Sequence, residues 1–161
     1  MIGVSDASPL TNLARIGQLQ ILKLLYERIV IPTAVRDELK AGERLGAHAS
    51  FLDNADWIVV QSPADKKAVA RLLTSLDLGE AEAIVLALET RADLLLMDER
   101  AGRRIAAQFD IRTVGLMGTL LLAKRRKLIS QVTPVVDQLI SQCGFWIDQQ
   151  LRQEIMRQAG E

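Results

Sequence analysis

Leu94-Leu95-Leu96-Met97-Asp98 is a short apolar run that ends in an aspartate, and Ile2-Gly3-Val4-Ser5-Asp6 repeats the pattern near the start of the chain. Apolar runs of this length are typical of strands that are buried on both faces of a parallel sheet. In open parallel sheets, ligands bind just beyond the carboxyl ends of the strands. The two runs therefore predict a buried parallel sheet with a cluster of carboxylates at one edge.

Strand-like and helix-like segments alternate along the chain, which is typical of an α/β fold. The predicted strands are residues 2–5, 29–31, 57–61, 94–97 and 112–114. The predicted helices are residues 8–26 with a break at Gly17, 33–40, a short helix near 48–52, 64–76, 79–90, 99–109, 116–127, and a tail over 134–159 broken at Gly144. We therefore expect one domain over residues 1–161: a three-layer α/β/α sandwich with a mostly parallel five-stranded sheet. The C-terminal helices, from about residue 131, are expected to pack on it.

The composition fits one ordinary globular domain. The chain has 161 residues, enough for a sizeable core, and its single cysteine, Cys143, excludes an intrachain disulfide. No apolar stretch reaches the roughly 18 residues that span a bilayer, and no signal peptide is recognisable. We expect a cytoplasmic protein without a membrane segment.

Three helical glutamates join the two strand-end aspartates as candidate site residues. Glu38 is predicted to share the inward face of its helix, where an unpaired carboxylate is costly. Glu80 and Glu82 begin a helix that is apolar on nearly every side over residues 81–88 and is therefore expected to be buried. Glu82 lies one turn into this helix and is the stronger candidate. Glu80 either favours the helix dipole or bends into the site.

Some of these acids also have a purely structural explanation, which the sequence leaves open. Asp6 is suited to capping the helix that follows it. Glu38 is suited to the boundary between core and solvent. Asp77 and Asp93 are predicted only to border their helix and strand.

A cluster made of carboxylates alone is repulsive unless a cation is bound or some of the acids are protonated. All-oxygen ligands suit Mg²⁺ or Mn²⁺, and zinc is disfavoured because one histidine and one cysteine cannot form a standard zinc site. A divalent ion held by carboxylates activates water and neutralises charge at a phosphodiester. The chain has no phosphate-binding loop, dinucleotide-binding turn or nucleophilic-serine elbow. The acids therefore favour metal-assisted phosphodiester hydrolysis.

Basic residues are concentrated in two places, although the formal net charge is zero. Arg100, Arg103 and Arg104 follow Asp98 closely, and residues 124–127 form a second basic run. The zero net charge argues against a general nucleic-acid coating protein, because phosphate binding needs positive charge. Both runs are also explained as solvated helix ends.

Four short motifs, in this order, resemble the PIN-domain family of small metal-dependent nucleases, which includes the toxins of VapB–VapC-type toxin–antitoxin pairs. The motifs are Val4-Ser5-Asp6-Ala7-Ser8, Pro32-Thr33-Ala34-Val35-Arg36-Asp37-Glu38-Leu39, Leu78-Gly79-Glu80-Ala81-Glu82-Ala83-Ile84 and Leu95-Leu96-Met97-Asp98. The resemblance covers the whole chain. Residues 79–83, 115–120 and 157–161 are similar to an uncharacterised PIN subgroup.

The resemblance implies a divalent-metal-dependent endoribonuclease that acts on RNA. The implied catalytic residues are Asp6, Glu38, Glu82 and Asp98, which would hold one or two Mg²⁺ or Mn²⁺ ions together with the further candidate ligand Glu80. The expected substrate-binding residues are Ser8, which would orient a ligand or water, and Arg103 and Arg104, which would contact RNA phosphates.

The resemblance further implies the toxin of a toxin–antitoxin pair, with a small antitoxin protein as partner. Family members commonly form homodimers, and the apolar helix over residues 116–123 would serve either as that interface or as core. One alternative is a non-catalytic PIN-like module that binds RNA or an antitoxin-type partner. Another is a different metal phosphohydrolase that acts on small phosphate esters or DNA.

Overall fold

A computed structural model describes residues 1–44 and 50–161, and it confirms the predicted α/β fold with helices on both faces of a sheet. The strands are β1 (Ile2–Ser5), β2 (Arg28–Pro32), β3 (Ile58–Gln61), β4 (Leu94–Leu96) and β5 (Thr113–Val114). They form one sheet in the order β3-β2-β1-β4-β5, and every neighbouring pair is parallel.

The helices also lie close to their predicted positions. They are α1 (Ala7–Arg15), α2 (Gln20–Leu25), α3 (Thr33–Arg44), α4 (Lys66–Leu72), α5 (Leu78–Thr90), α6 (Arg100–Gln108), α7 (Leu116–Arg125), α8 (Thr133–Cys143) and α9 (Gln149–Ala159). Gly17 and Gly144 adopt positive φ angles, which explains the breaks predicted at both positions. The short helix predicted near 48–52 lies partly outside the described residues, and Ser50–Asn54 forms a 3₁₀ helix. Within the described parts of the chain, no helix is both long and apolar enough to cross a membrane.

The sheet separates two apolar cores because successive strand side chains point to opposite faces. Ile29, Ile31 and Leu96 belong to the core that also contains buried residues of α1, α2, α3, α7, α8 and α9. Val30 and Leu95 belong to the core that contains α4, α5 and α6. Apolar residues on both faces of the central strands account for their continuous apolar sequences.

Helix α5 is the most deeply buried helix segment, as its sequence predicts. Every residue from Gly79 to Ala87 is buried, and the helix packs against β1, β2 and β4. Because α5 leads directly into the parallel strand β4, its first turn lies at the carboxyl edge of the sheet. The acidic start of an otherwise apolar helix is thereby placed where the strands end.

The order of the strands creates a crevice between β1 and β4. The chain runs outward from β1 through β2 to β3 on one side, and from β4 to β5 on the other. Ligand sites in open parallel sheets lie at such a reversal, beyond the carboxyl ends of the strands. Asp6 and Asp98, which follow β1 and β4, lie at this reversal.

Candidate functional site

Asp6 is buried at the end of β1, with 6% of its surface exposed. Its backbone N–H donates to the carbonyl of Leu96 at 3.0 Å, which fixes the end of β1 against β4. Asp6 occupies the position before α1, but its side chain makes no capping hydrogen bond with that helix. The explanation of Asp6 as a side-chain cap is therefore wrong. The helix also begins earlier than predicted, at Ala7 rather than at Ser8-Pro9.

Carboxylates from three elements meet around Gly79 in the first turn of α5. A β-carbon at this position would lie 2.8 Å from Glu38 Oε1 and 3.5 Å from Oδ1 of both Asp6 and Asp77. All three oxygens therefore surround one small space. Glycine is the residue that leaves this space to the carboxylates.

Glu80 completes this group from the same turn of α5. Its N–H donates to Asp77 Oδ1 at 2.8 Å, and its Oε2 accepts the Asp77 N–H at 3.1 Å, a reciprocal capping box. The prediction that Asp77 borders a helix is confirmed, and the residue also joins the site. We call Asp6, Glu38, Asp77 and Glu80 the Gly79 cluster.

Burial and mutual repulsion raise pKa values within the Gly79 cluster. Burial raises the pKa of Asp6 from 3.8 to about 7. The Ala7 backbone N–H opposes this rise, and repulsion by Glu38, Asp77 and Glu80 adds to it. Glu38 is exposed as a whole residue, so the predicted inward position is only half right. Partial burial of its carboxyl group, followed by repulsion from Asp77 and Glu80, raises the pKa of Glu38. Burial is also the first cause of the raised pKa of Glu80.

Asp98 lies across the crevice, beside an arginine. Its Oδ1 accepts the Leu116 N–H at 2.8 Å, whereas its Oδ2 is buried without a hydrogen-bond partner. A β-carbon at Gly115 would lie 2.8 Å from Asp98 Oδ1 and 3.1 Å from Arg103 Nη1. Burial raises the pKa of Asp98 even though the Leu116 amide and Arg103 oppose the rise. Arg103 therefore lies beside Asp98 in the folded chain, and its predicted contact with RNA phosphates stays a prediction.

Glu82 binds the start of α3 rather than the Gly79 cluster. Its Oε2 accepts the Ala34 N–H at 3.0 Å and the Thr33 hydroxyl at 3.3 Å. The first N–H groups of a helix have no partner within the helix, so a buried carboxylate there is stabilising. Glu82 thereby holds the helix that carries Glu38. Its predicted role as a metal ligand stays a prediction.

The remaining predicted substrate contacts, Ser8 and Arg104, lie on α1 and α6. Ser8 is in the first turn of α1, and its hydroxyl accepts a weak hydrogen bond from Asn12 Nδ2 at 3.5 Å. Arg104 is exposed on α6, next to Arg103. Their roles toward a ligand or RNA phosphates stay predictions.

Carboxylates are suitable ligands for a cation, although those of this site are not arranged to enclose one. Across residues 1–44 and 50–161, no three His, Cys, Asp or Glu side chains are arranged so that they could hold a metal ion as they stand. Like charges gathered around Gly79, and the partnerless Oδ2 of Asp98, would both be stabilised by a divalent cation. A separate cavity of about 570 Å³, near Arg15 and Phe51, is lined by none of these acids.

Comparisons with known proteins agree with this fold. The model of the PIN domain family matches residues 2–161. The chain belongs to the PIN-domain family. PIN domains are generally metal-dependent nucleases, and they typically use divalent ions. A solved PilT N-terminus (PIN) domain protein from the hyperthermophilic archaeon Sulfolobus solfataricus P2 is similar in fold. It has a TM-score of 0.52 and 20% identity, over 74% of this chain and 90% of that chain. No curated protein matches this chain significantly.

Sequence reasoning missed three residues that shape this PIN-domain site. Asp77 was assigned only to a helix boundary, although its spacing from Glu80 is that of a capping box. Gly79 and Gly115 were also missed. At each of them a carboxylate from elsewhere in the chain occupies the space that a side chain would fill, and nothing local in the sequence shows this.

Proposed function

We propose that this PIN-domain protein is a divalent-metal-dependent endoribonuclease. The observation that carries the proposal is the convergence of Asp6, Glu38 and Asp77 on Gly79, with the pKa of Asp6 raised to about 7 by burial and by its acidic neighbours. Gathering these buried carboxylates without a ligand costs electrostatic free energy. Carboxylates with strongly raised pKa values are concentrated at functional sites, because structural acids normally find a compensating partner.

Asp6, Glu38, Glu80 and Asp98 would hold the Mg²⁺ or Mn²⁺ ion. When bound, the ion supplies water activation and neutralises charge at the phosphodiester. The other residues would position these ligands. Asp77 holds Glu80 through the capping box, and Glu82 holds the start of α3, so that Glu38 is presented toward Asp6.

RNA is the proposed substrate, and positive charge on α6 is the proposed means of binding it. Arg103 lies beside Asp98, and Arg100 and Arg104 are exposed on the same helix. A guanidinium group at this edge would pair with phosphate oxygens and bring the backbone to the acids. Ser8 would orient a ligand or water from the first turn of α1.

A toxin role, with a small antitoxin as partner, is the biological setting that the family resemblance favours. A homodimer belongs to the same proposal. The inner face of α7, which includes Leu116, Leu120 and Ala123, is buried in the core of one chain. A dimer would therefore use the half-buried outer residues of α7, such as Met117 and Leu121, or another surface.

Cleavage of an RNA panel tests this proposal. Structured and single-stranded RNAs are incubated with Mg²⁺ or Mn²⁺, in parallel with EDTA and with the Asp6→Asn variant. Asp37→Asn is a matched control, because Asp37 is exposed and pairs with its neighbour Arg36. Cleavage that EDTA and Asp6→Asn both abolish, and that Asp37→Asn retains, is the expected result. Cleavage that survives either treatment would contradict the proposal.

A non-catalytic PIN-like module that binds RNA or a protein partner is the second candidate. The observation that favours it is that, within the described ranges, no three candidate ligands enclose a metal as they stand. This candidate predicts RNA or partner binding that is indifferent to divalent ions and to Asp6→Asn. Substituting single-stranded DNA and small phosphate esters in the same panel separates a ribonuclease from other metal phosphohydrolases.

A further inference from the structure

A cleft of about 460 Å³ opens directly beside Asp98 and Arg103. Gly115 and Gly118, at the start of α7, line one part of it, and Trp146 lines another. Its volume falls within the range of about 300–1,000 Å³ that is usual for ligand sites. Because Asp98 itself lines the cleft, any occupant would lie next to this acid.

Trp146 is the most exposed large apolar side chain among the described residues, with 81% of its surface exposed. The loop that carries it joins α8 to α9 and is fixed at both ends. After Gly144, the Phe145 N–H donates to the Leu139 carbonyl at 3.1 Å. At the other end, Asp148 caps α9 by accepting the Leu151 N–H at 2.7 Å. The exposure of Trp146 therefore occurs in a well-anchored loop.

The two neighbours of Trp146 explain why it is presented outward. Phe145 and Ile147 are half-buried and pack against the core, so the residue between them points away from it. Leaving an indole ring in water forgoes the stabilisation that burial of a large apolar surface provides. An exposed ring at the mouth of a cleft therefore suggests a ligand that covers it.

We propose that this cleft is a nucleobase subsite in which Trp146 stacks an unpaired base of single-stranded RNA. The inference rests on the proposed function, and it adds the form of substrate that the site accepts. Aromatic side chains bind single strands by stacking on unpaired bases, which a duplex does not offer. Because Arg103 and Asp98 line the same cleft as Trp146, a nucleotide with its base against Trp146 would direct its phosphate toward Arg103 and the adjoining backbone toward Asp98.

The charges around the cleft favour a nucleotide over a protein segment. Arg103 provides a positive group for a phosphate at the inner end, and the acids beyond it are the groups that act on a phosphodiester in the proposed function. An apolar protein segment would use the Trp146 wall but would leave the Arg103 end without a complementary group. A protein occupant is therefore an outcome of the test rather than part of the proposal.

Binding of short RNAs to Trp146 variants tests the subsite. The measurements use the Asp6→Asn background with Mg²⁺, so that binding is recorded without cleavage. The probes are hexauridine, hexaadenosine and a blunt RNA duplex. Trp146→Ala should weaken binding of both single strands by about tenfold, while Trp146→Phe keeps most of the affinity because a ring remains. Duplex binding should not change.

Phe109→Ala is the matched control. Phe109 is also an exposed aromatic residue, but it lies with Arg91 and Asp93 at the opposite edge of the sheet. This variant should bind every probe as the parent does. Thermal melting of all variants shows whether any loss of affinity comes from unfolding. If Trp146→Ala does not fold, Trp146→Leu carries the test, because it removes the ring but keeps an apolar side chain, and it should weaken single-strand binding in the same way.

Fluorescence provides a second readout of the same contact. The chain has two tryptophans, and Trp57→Phe leaves Trp146 as the only one. Single-stranded RNA should quench its emission, and duplex RNA should not. Unchanged emission on saturation with single strands would overturn the proposal.

The outcomes separate this inference from the proposed function. If the protein with Asp6 intact cleaves RNA and Trp146→Ala has no effect on single-strand affinity, the subsite is wrong and the nuclease stands. The same holds if Trp146→Ala changes only self-association in sedimentation, which would assign the cleft to a second copy of the chain. If the protein neither cleaves nor binds any RNA, both are wrong.

Discussion

Asp6 and Glu161 are two acids whose pKa values shift in opposite directions. Asp6 is 6% exposed, and burial among other acids raises its pKa to about 7. The side chain of Glu161 is 12% exposed. Burial also acts to raise the pKa of Glu161, but hydrogen bonds from Lys124 and from the start of α8 outweigh it and lower this pKa to about 2.

The surroundings of the two acids account for this difference. Glu161 accepts hydrogen bonds from Lys124 Nζ at 2.7 Å, from the Val132 N–H at 2.7 Å, and from the Thr133 N–H and hydroxyl at 3.1 and 2.8 Å. The chain thus satisfies a carboxylate fully where it is needed for structure. The Gly79 cluster brings several acids together instead, and in the proposed function a divalent ion supplies the missing partner.

Replacing each of the two acids with its amide should have the largest effects, and these effects on cleavage and stability should be opposite. Asp6→Asn should reduce RNA cleavage to background and stabilise the metal-free protein, because it removes a buried, repelled charge. Glu161→Gln should keep full cleavage and cost about 1–3 kcal/mol of unfolding free energy, because it weakens charged hydrogen bonds. Cleavage assays and denaturant unfolding of both variants check this crossed pattern. Lost stability with Asp6→Asn would instead make Asp6 a structural residue.

Gly79→Ala should separate stability from function at the Gly79 cluster. The new β-carbon would displace the flexible end of Glu38, which lies 2.8 Å from its position. Because alanine favours a helix over glycine by up to about 1 kcal/mol, the fold should be unharmed or slightly more stable. Divalent-ion affinity should nevertheless fall by about tenfold, the scale of lost positioning contacts around metals.

Gly118→Ala provides the control for that experiment. A β-carbon at Gly118 would approach only the side chain of Val114, at 2.9 Å, and no carboxylate. Metal titration and thermal melting of Gly79→Ala and Gly118→Ala test whether the space at Gly79 is needed for metal binding. Equal metal affinity in Gly79→Ala and the parent protein would contradict the role assigned to this space.

The pH dependence of stability should have opposite signs at the two acids. The raised pKa of Asp6 makes its contribution complete below its ordinary value of 3.8 and progressively lost as the pH rises through about 7. The lowered pKa of Glu161 makes its contribution present above its ordinary value of 4.5 and lost as the pH falls through about 2.

Thermal melting in EDTA measures both effects. Between about pH 5 and pH 8 the metal-free protein should lose stability, and Asp6→Asn should flatten that decline. Below about pH 4 the parent protein should lose stability more steeply than Glu161→Gln. A decline above pH 5 that is unchanged in Asp6→Asn would assign it to another group.

The smallest expected difference is between the metal-binding roles of Glu80 and Glu82, which lie two residues apart in α5. Glu80→Gln should weaken metal binding, because Glu80 belongs to the Gly79 cluster. Glu82→Gln should retain much of the metal affinity and should lower stability, because an amide oxygen holds the start of α3 less well than a carboxylate. Calorimetric titration and unfolding of both variants compare them directly. The reverse pattern would restore Glu82 as the main third ligand.

Much of the fold was predictable because the decisive signals are local. The apolar runs of β1 and β4, the buried character of α5, and the glycines that separate helices are all readable from adjacent residues. Helix starts were less accurate at α1, where Asp6 occupies the cap position without a capping hydrogen bond. Local propensity cannot show that a side chain is directed elsewhere by the tertiary fold.

The candidate site was predictable in its residue types and less so in its arrangement. Helical periodicity selected Glu82 as the deeper acid, but the approach of α3 takes up its carboxylate, and the capping box retains Glu80 beside Asp77. Trp146 gave no signal because its exposure depends on how α8 and α9 pack. The contact of Glu82 with α3 and the packing around Trp146 join residues far apart in sequence, so only the folded chain reveals them. The capping box, by contrast, is readable from the spacing of Asp77 and Glu80.

Calorimetric titration of Mn²⁺ into the parent protein and Asp6→Asn, with Glu161→Gln as the control, tests the central claim most directly. The Gly79 cluster as a divalent-metal site predicts binding by the parent and by Glu161→Gln, and severe loss of binding by a folded Asp6→Asn. Absence of Mn²⁺ binding in the folded parent, or equal binding by Asp6→Asn, would contradict it.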